Sequence, residues 1–298
     1  MTQPRDTTID PLVTVVIPTR NRPEMVCRAV RSALGQTYLN LEVVVVVDGP
    51  DSATVKALEG LDEKRLRIFA LAESTGGGEA RNIGIRAANG AWMALLDDDD
   101  EWLPLKIEEQ MRLAREPSSE NVLVACRYFH RAEQVEDVIR PRKLPTAQQS
   151  LVDYLFDFGC GFQTSGYLFT RSLAQCLPFD PQLIVEQDTD WMLRLALLPD
   201  LNVIAIAEPL YIYHAPETRP TISSRVSWQV RLNYATTHRG YFSRLAYSRF
   251  LFRSCIRRAI RQKARWRDIL SLAREFFCSG RPELKTTVAF LLVLMKLR

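Results

Sequence analysis

The chain has 298 residues, 47% of them hydrophobic and 25% charged, an ordinary globular composition with room for one large α/β domain and an appendage. Six cysteines with no CxxC pair read as reduced thiols, and three histidines leave little room for a zinc site built on Cys and His. The net charge of +4 conceals an asymmetry: from Arg225 to Arg298 there are 17 Lys+Arg against 3 Asp+Glu, a balance of +14, and the preceding residues carry −10.

Residues 13–18 (VTVVIP) are an apolar, β-branched run that predicts a buried parallel strand. A polar turn follows, and Pro23 is placed to open a helix with Met25, Ala29, Val30 and Leu34 on one side. Residues 41–48 (LEVVVVVD) predict a second strand, and 51–61 a helix capped by Asp51 or Ser52. Residues 65–71 predict a third strand. The loop ESTGGG leads into a helix closed by Asn89-Gly90, and 92–97 (WMALLD) predict a fourth strand that runs straight into DDDEW.

Four strand–helix alternations in the first hundred residues imply a mostly parallel sheet with helices on both faces. Ligands bind such sheets beyond the carboxyl ends of the strands. Thr19–Arg22, Asp48, Glu73–Gly78 and Asp97–Asp100 all fall on that edge.

Further along, the pattern predicts a helix from about Pro104, a strand over 121–131, and a polar surface loop over 132–147. It then gives a short helix at 150–158, a strand over 163–171, an amphipathic helix over 187–198, and a last strand or pair of strands over 201–214. Beyond about 225 the sequence is Arg-rich and helical. The N-terminus is polar, without the apolar core of a signal peptide, and the longest candidate for a membrane segment, VAFLLVLM at 288–295, has eight residues. The expectation is a cytosolic chain, or one lying on a membrane from that side.

Asp97-Asp98-Asp99-Asp100 is the sharpest chemical feature. Four adjacent carboxylates repel one another, and a divalent cation offsets the repulsion. Oxygen ligands of this kind select Mg2+ or Mn2+, held by one or two carboxylates together with substrate phosphates. The competing reading is a solvated acidic loop or a helix N-terminus, which favours negative charge.

VVIPTRNRPE, LGQTYLNLEVVVVVDGPDS, GGGEARNIGIRAANGAWMALLDDDDEWLPLKIEEQ, GFQTSGYLFTRSLAQCLPFDPQL and EQDTDWMLRLAL, in this order and spacing, resemble the family 2 glycosyltransferases of GT-A fold. The resemblance covers about residues 12–215. It implies a GT-A (Rossmann-like) α/β domain over 1–225, followed by a basic helical extension over 226–298. It also implies inverting transfer of a sugar from a nucleoside-diphosphate-sugar, a UDP-sugar above all, to a saccharide or lipid-linked saccharide acceptor, assisted by Mg2+ or Mn2+.

Residue by residue, the resemblance assigns Pro18, Thr19 and Arg22 to the loop that holds the nucleoside and Asp48 to the base or ribose. It places Arg81 and Asp98 beside the donor. Asp97 and Asp99 stand at the outer positions of the DxD metal motif, and Asp188 matches the general base. His214 follows the last strand, where a histidine can approach the metal or diphosphate; the alternative is a surface histidine. Asp190 competes with Asp188, since residues two apart lie about 200° around a helix and cannot both face one pocket. Two departures stand out: Asp48-Gly49 replaces an acidic pair, and Gln187 replaces the glutamate before the base. The second removes an acidic neighbour that would raise the pKa of Asp188.

The interleaved arginines and aromatics of 239–274 admit three readings: a solvated helical appendage, an anionic membrane surface as partner, or nucleic acid, the last disfavoured. Two functions compete with glycosyl transfer. A sugar nucleotidyltransferase would carry a Gly- and Lys-bearing first loop, which VVIPTRNRPE lacks. A non-catalytic sugar- or lipid-binding scaffold would not need Asp97, Asp99 and Asp188 together.

Overall fold

A computed structural model describes residues 10–114, 120–132, 135–215 and 226–295. The first hundred residues alternate as the sequence predicts: β1 (Val13–Thr19), α1 (Pro23–Leu34), β2 (Leu41–Val47), α2 (Ser52–Glu59), β3 (Leu66–Ala70), α3 (Gly77–Ala87) and β4 (Trp92–Leu95). β2 is buried along its whole length. Val43, Val45 and Val47 face the core under α1 and α2, while Val44 and Val46 meet Ala80 of α3 on the other face. Covering on both faces is why these strands read as unbroken apolar runs. Each fully buried valine contributes on the order of 2 kcal/mol. α1 buries a face centred on Val26, Ala29, Val30 and Ala33, one step round from the predicted stripe, and Asp51 caps α2 by accepting from the Thr54 N–H at 3.0 Å. α3 ends at Ala87, short of the predicted Asn89-Gly90 stop, because the Asn89 amide groups bond the Glu42 carboxylate instead.

The second half follows as β5 (Glu101–Trp102), α4 (Lys106–Ala114), β6 (Val122–Arg131), β7 (Val138–Arg140), α5 (Leu151–Phe156), a 3-10 turn (Thr164–Gly166), β8 (Leu168–Thr170), α6 (Arg171–Cys176), α7 (Gln187–Leu195) and β9 (Asn202–His214). Among the described residues the strands form one sheet in the order β3-β2-β1-β4-β8-β6-β9-β5, with β7 on β6. β1 to β4 are parallel, but β8 runs antiparallel to both β4 and β6. Two expectations are corrected here. The strand over 163–171 shrinks to Leu168–Thr170, because Gly166, tight against the Tyr211 ring, turns the chain first. β7 crosses the predicted polar loop, and β5 is too short to leave a pattern.

Beyond residue 226 the chain is helical, as expected. α8 (Trp228–Thr237) precedes α9 (Arg244–Phe250), which runs through a π-helical turn (Leu251–Ile256) into α10 (Arg257–Arg261); α11 (Trp266–Cys278) and α12 (Leu284–Met295) complete the chain. These helices share a core with the preceding domain, in which Val152, Phe156 and Leu193 pack with Tyr234, Phe242, Tyr247, Phe250 and Phe276. Several arginines serve this packing. Arg239 donates to the carbonyls of Phe242 and Ser279, Arg244 to those of Cys278 and Gly280, and Arg249 pairs with Glu283. Other basic residues are exposed, with Arg261, Lys263, Arg265 and Arg267 in one run. No helix of the described residues is long and apolar enough to cross a membrane.

Candidate functional site

The sheet order reverses beside β1: β2 and β3 lie to one side and β4 to the other. That reversal opens a crevice at the carboxyl ends of β1 and β4, and the loops leaving the two strands meet there. Thr19 Oγ1 donates to Asp98 Oδ2 at 2.7 Å, and Arg22 Nη1 donates to Asp98 Oδ1 at 2.6 Å and to Asp99 Oδ2 at 3.2 Å. Pro18 precedes them in β1, registered against Val46. Arg28 of α1 donates to the Asp99 carbonyl at 2.5 Å.

The acidic tetrad divides by alternation. Asp98 and Asp100 point inward, 5% and 1% exposed, while the Asp97 and Asp99 side chains remain 31% and 28% exposed. Asp100 accepts from Ser165 Oγ at 2.5 Å and from the His214 N–H at 3.3 Å. Burial, reinforced by Asp97 and Asp99, holds its carboxyl well above the usual carboxylate range. Asp98 is pushed up to about 6 by burial; Arg22 pulls it down and Asp99 pushes it further up. Arg22 loses basicity to burial but regains more from Asp98, Asp99 and Asp97. Asp98, expected beside the donor, thus spends both carboxylate oxygens on Thr19 and Arg22.

Asp48 ends β2, 6% exposed, and organises the next loop. Its Oδ1 accepts from the Thr75 N–H at 2.6 Å, and its Oδ2 from the Gly76 N–H at 3.1 Å and from Ser74 Oγ at 2.9 Å. Gly76 has φ +89°, a backbone geometry that a side chain would strain, and it starts α3 at this edge. Gly84 on the same helix lies so close to β1 that a Cβ would sit 2.4 Å from Val16 Cγ1. The helix is therefore pressed onto the sheet, and Arg81 is fixed with it.

Arg81 links the two sides of the site. Its Nη2 donates to Asp97 Oδ1 at 2.6 Å, and its Nη1 reaches Gln187 Oε1 at 3.5 Å at the start of α7. Asp188, the next residue, lines a cavity of about 440 Å³ together with Gln163, Tyr167, Glu186, Arg231 and Arg253. Burial raises the Asp188 carboxyl above its ordinary range; the Thr189 N–H and Arg81 oppose the shift, and Asp97 adds to it. Asp190 is 1% exposed, bonded to Arg194 at 2.7 Å and to the Tyr234 hydroxyl at 3.2 Å, and takes no part in the cavity wall.

Asp97 and Asp99, paired with Arg81 and Arg22, are the carboxylates that would meet a divalent cation here. Asp97 and Asp99 are partly exposed carboxylates on one edge, the minimum that Mg2+ or Mn2+ needs when phosphates complete the shell. His214 is not brought to them: its Nε2 meets Glu101 Oε2 at 3.5 Å, and burial and then Arg28 lower its pKa, with Glu101 opposing. Among the described residues no three His, Cys, Asp or Glu side chains converge as a metal shell.

Ser165, Arg28, Glu186, Arg231 and Arg253 belong to this region without having been singled out in the sequence. Ser165 lies in the segment GFQTSG that carries part of the resemblance, and its hydroxyl joins the Asp97 N–H to the Asp100 carboxylate. Trp102 and Trp191, which border the acidic motifs, are packing residues. Trp102 lies under the Lys106 ammonium and Trp191 stacks on Phe179.

A family model described as "Glycosyl transferase family 2" matches residues 14–172. The amylovoran biosynthesis glycosyltransferase AmsB of Erwinia amylovora is 30% identical over 213 residues, 67% of this chain and 68% of that protein. Matches to the first curated relatives span between 30% and 38% of those proteins' own lengths. Among solved structures, S. aureus TarS 1–349 in complex with UDP-GlcNAc superposes with a TM-score of 0.62 at 15% identity, covering 96% of this chain and 80% of that one. Mannosyltransferase PcManGT from Pyrobaculum calidifontis, in complex with GDP-Man and Mn2+, gives 0.56 at 19% identity, covering 97% and 76%. At these identities the likeness is one of fold.

Proposed function

The chain belongs to glycosyl transferase family 2, and from that premise we propose that it moves a sugar, with inversion, from a nucleoside-diphosphate-sugar to a hydroxyl of a saccharide or lipid-linked saccharide. The observation that carries this reading is the bridge through Arg81, which ties the partly exposed Asp97 to Gln187, the residue before Asp188 in the cavity wall. A leaving-group edge and a base thus stand on opposite sides of one cation.

The donor, a UDP-sugar by preference, lies along the β1 and β4 loops, with Arg22 and Arg81 facing its charge. Asp97 and Asp99 would hold a Mg2+ or Mn2+ ion, which when bound would supply positive charge for the departing diphosphate. The acceptor hydroxyl enters from the cavity and attacks the anomeric carbon from the face opposite the diphosphate. As the new C–O bond forms, the sugar–phosphate C–O bond breaks, and the hydroxyl proton passes to Asp188. A base must be deprotonated to act, and its raised pKa brings Asp188 closer to neutrality, which favours proton transfer.

Peripheral membrane contact belongs to the same reading. α11 exposes Trp266, Leu270 and Phe277, and α12 exposes Leu284, Val288, Leu291, Leu292 and Met295, beside the basic run 261–267. Such faces suit insertion among anionic headgroups.

The test is release of UDP from UDP-sugars by the full chain with Mn2+, with and without chelator. Formation of inorganic diphosphate from a nucleoside triphosphate and a sugar phosphate would instead identify a nucleotidyltransferase. Donor binding without turnover, across a panel of acceptors, would identify a scaffold.

A further inference from the structure

Resting on the glycosyl-transfer reading, we propose that the acceptor is an anionic saccharide whose charged group is read by Arg253, assisted by Ser254, in the cavity that Asp188 faces.

The charges of the cavity make the case. Glu186 and Arg231 form an ion pair and cancel each other. Asp188 is the base, and Arg81 is the cation that opposes the rise in its pKa. Arg253 lines the same cavity. Its hydrogen bond among the described residues is a long one, 3.4 Å from Nη1 to the Asp157 carbonyl, and it has no ion pair there. The nearby Asp157 carboxylate accepts from the Phe158 N–H at 2.7 Å and lies 3.5 Å from Arg249 and 4.0 Å from Lys285. Arg253 is solvent-exposed yet crowded by protein; burial and then Arg257 depress its basicity, which is the setting of a cation lining a cleft. A guanidinium keeps its charge under such conditions and offers a planar fork that matches phosphate or carboxylate oxygens.

The backbone supports the same conclusion. Arg253 and Ser254 lie in the π-helical turn, Leu251–Ile256. Leu251, Phe252, Cys255 and Ile256 of that turn are buried in the C-terminal core, which leaves these two residues to the cavity. A π turn holds an extra residue relative to an α-helix and rotates the downstream side chains by about 100°. Such turns are uncommon and recur at functional sites. Phe156, Phe162 and Met192 give the remaining wall an apolar surface for a sugar ring or lipid stem.

The experiment titrates glucose 1-phosphate, glucuronate and glucose into the full chain saturated with UDP and Mn2+, at constant ionic strength, by calorimetry. UDP binding is measured first on the same samples. Wild type should bind one or both anionic probes about tenfold or more tightly than glucose, the scale of one charge-assisted hydrogen bond. R253Q should lose that preference while binding UDP and glucose unchanged, R253K should recover part of it, and R265Q, on the exposed run, should behave as wild type. The phosphate and carboxylate arms identify which anion the site reads. Equal affinity for glucose and the anions, or R253K and R253Q both retaining the preference, would overturn the proposal. A chain that fails to bind UDP but keeps an Arg253-dependent anion preference would remove the donor assignment and leave the anion site standing.

Discussion

Glu186 and Arg231 form a buried ion pair that ties the residue before α7 to α8, each side chain 8% exposed. Glu186 adopts φ +64°, in the left-handed region, and stands two residues before Asp188. The start of α7, which carries the proposed base Asp188, is therefore held by a contact from the basic C-terminal segment. Arg231→Met should cost about 3 kcal/mol in denaturant unfolding, because it strands a buried carboxylate. The double variant with Glu186→Met should regain most of that loss. A single variant as stable as wild type would show the pair to be dispensable.

Asp188→Asn should retain UDP binding and lose transfer by about 100-fold or more, the usual scale for removal of a general base. Asp190→Asn should instead lower the melting temperature by weakening its contacts with Arg194 and Tyr234. In the rate–pH profile the acidic limb should lie above the ordinary carboxylate range, since Asp188 must lose its proton to act and its pKa is raised. A transfer defect confined to Asp190→Asn would reverse the assignment.

The alternation within the tetrad gives two phenotypes. Asp97→Asn and Asp99→Asn should abolish metal-dependent nucleotide binding in a chain that melts normally. Asp100→Ala should leave the Ser165 hydroxyl and the His214 N–H without their acceptor, at a cost of about 1–3 kcal/mol. Calorimetry with UDP and Mn2+, beside thermal melts, separates the two; undiminished activity in Asp99→Asn would sink the metal assignment.

Lys106 is fully buried, bonded to Gln110 at 2.7 Å and lying over Trp102, and burial lowers its pKa to about 8. A folded pKa below the unfolded value means the unfolded chain binds more protons between about pH 8 and 10.4. Its contribution is complete above that window and is lost as pH falls through 8. Urea unfolding should therefore show wild type gaining on Lys106→Met by about 3 kcal/mol between pH 8 and 10.4. Parallel pH profiles for the two would contradict the shift.

Flotation tests the exposed α11 and α12 faces. Wild type should float with anionic vesicles at low salt, each well-placed cation contributing about 1 kcal/mol. Trp266→Ser combined with Leu270→Ser should reduce recovery without altering UDP binding. Truncation near residue 225 is the poorer test, since it would open the core shared by Phe156 and Phe250. Equal recovery with neutral vesicles would reject electrostatic docking.

The first four strands were legible because burial on both faces writes an unbroken apolar run such as Leu41–Val47. Beyond β4 the long strands β6 and β9 were legible too, but the short ones were not: β8 has three residues and β5 two, too few for a period, and their pairing is antiparallel. Four identical aspartates concealed which two face inward, since only the backbone sets that alternation. In the tail, one arginine resembles another. The sequence does not distinguish Arg244, spent on carbonyls, from Arg253, turned by the π segment toward a cavity. The choice between Asp188 and Asp190 rested on resemblance, for helical spacing says only that they diverge.

The contacts of the crevice differ in how much chain they enclose. Arg22 and Asp98 are 76 residues apart, and among the described residues most partners of that edge lie within the first hundred positions, with Ser165, His214 and the residues that meet Arg81 the later ones. The cavity beside Asp188 needs Arg231 and Arg253, which leave the ribosome much later. A growing or partly unfolded chain can therefore possess the nucleotide edge while the opposite wall is missing. In that state water is the hydroxyl closest to hand, and a bound donor would be wasted by hydrolysis. On the proposed function, closing the acceptor wall with the last helices would make selectivity against water a property of the finished chain alone.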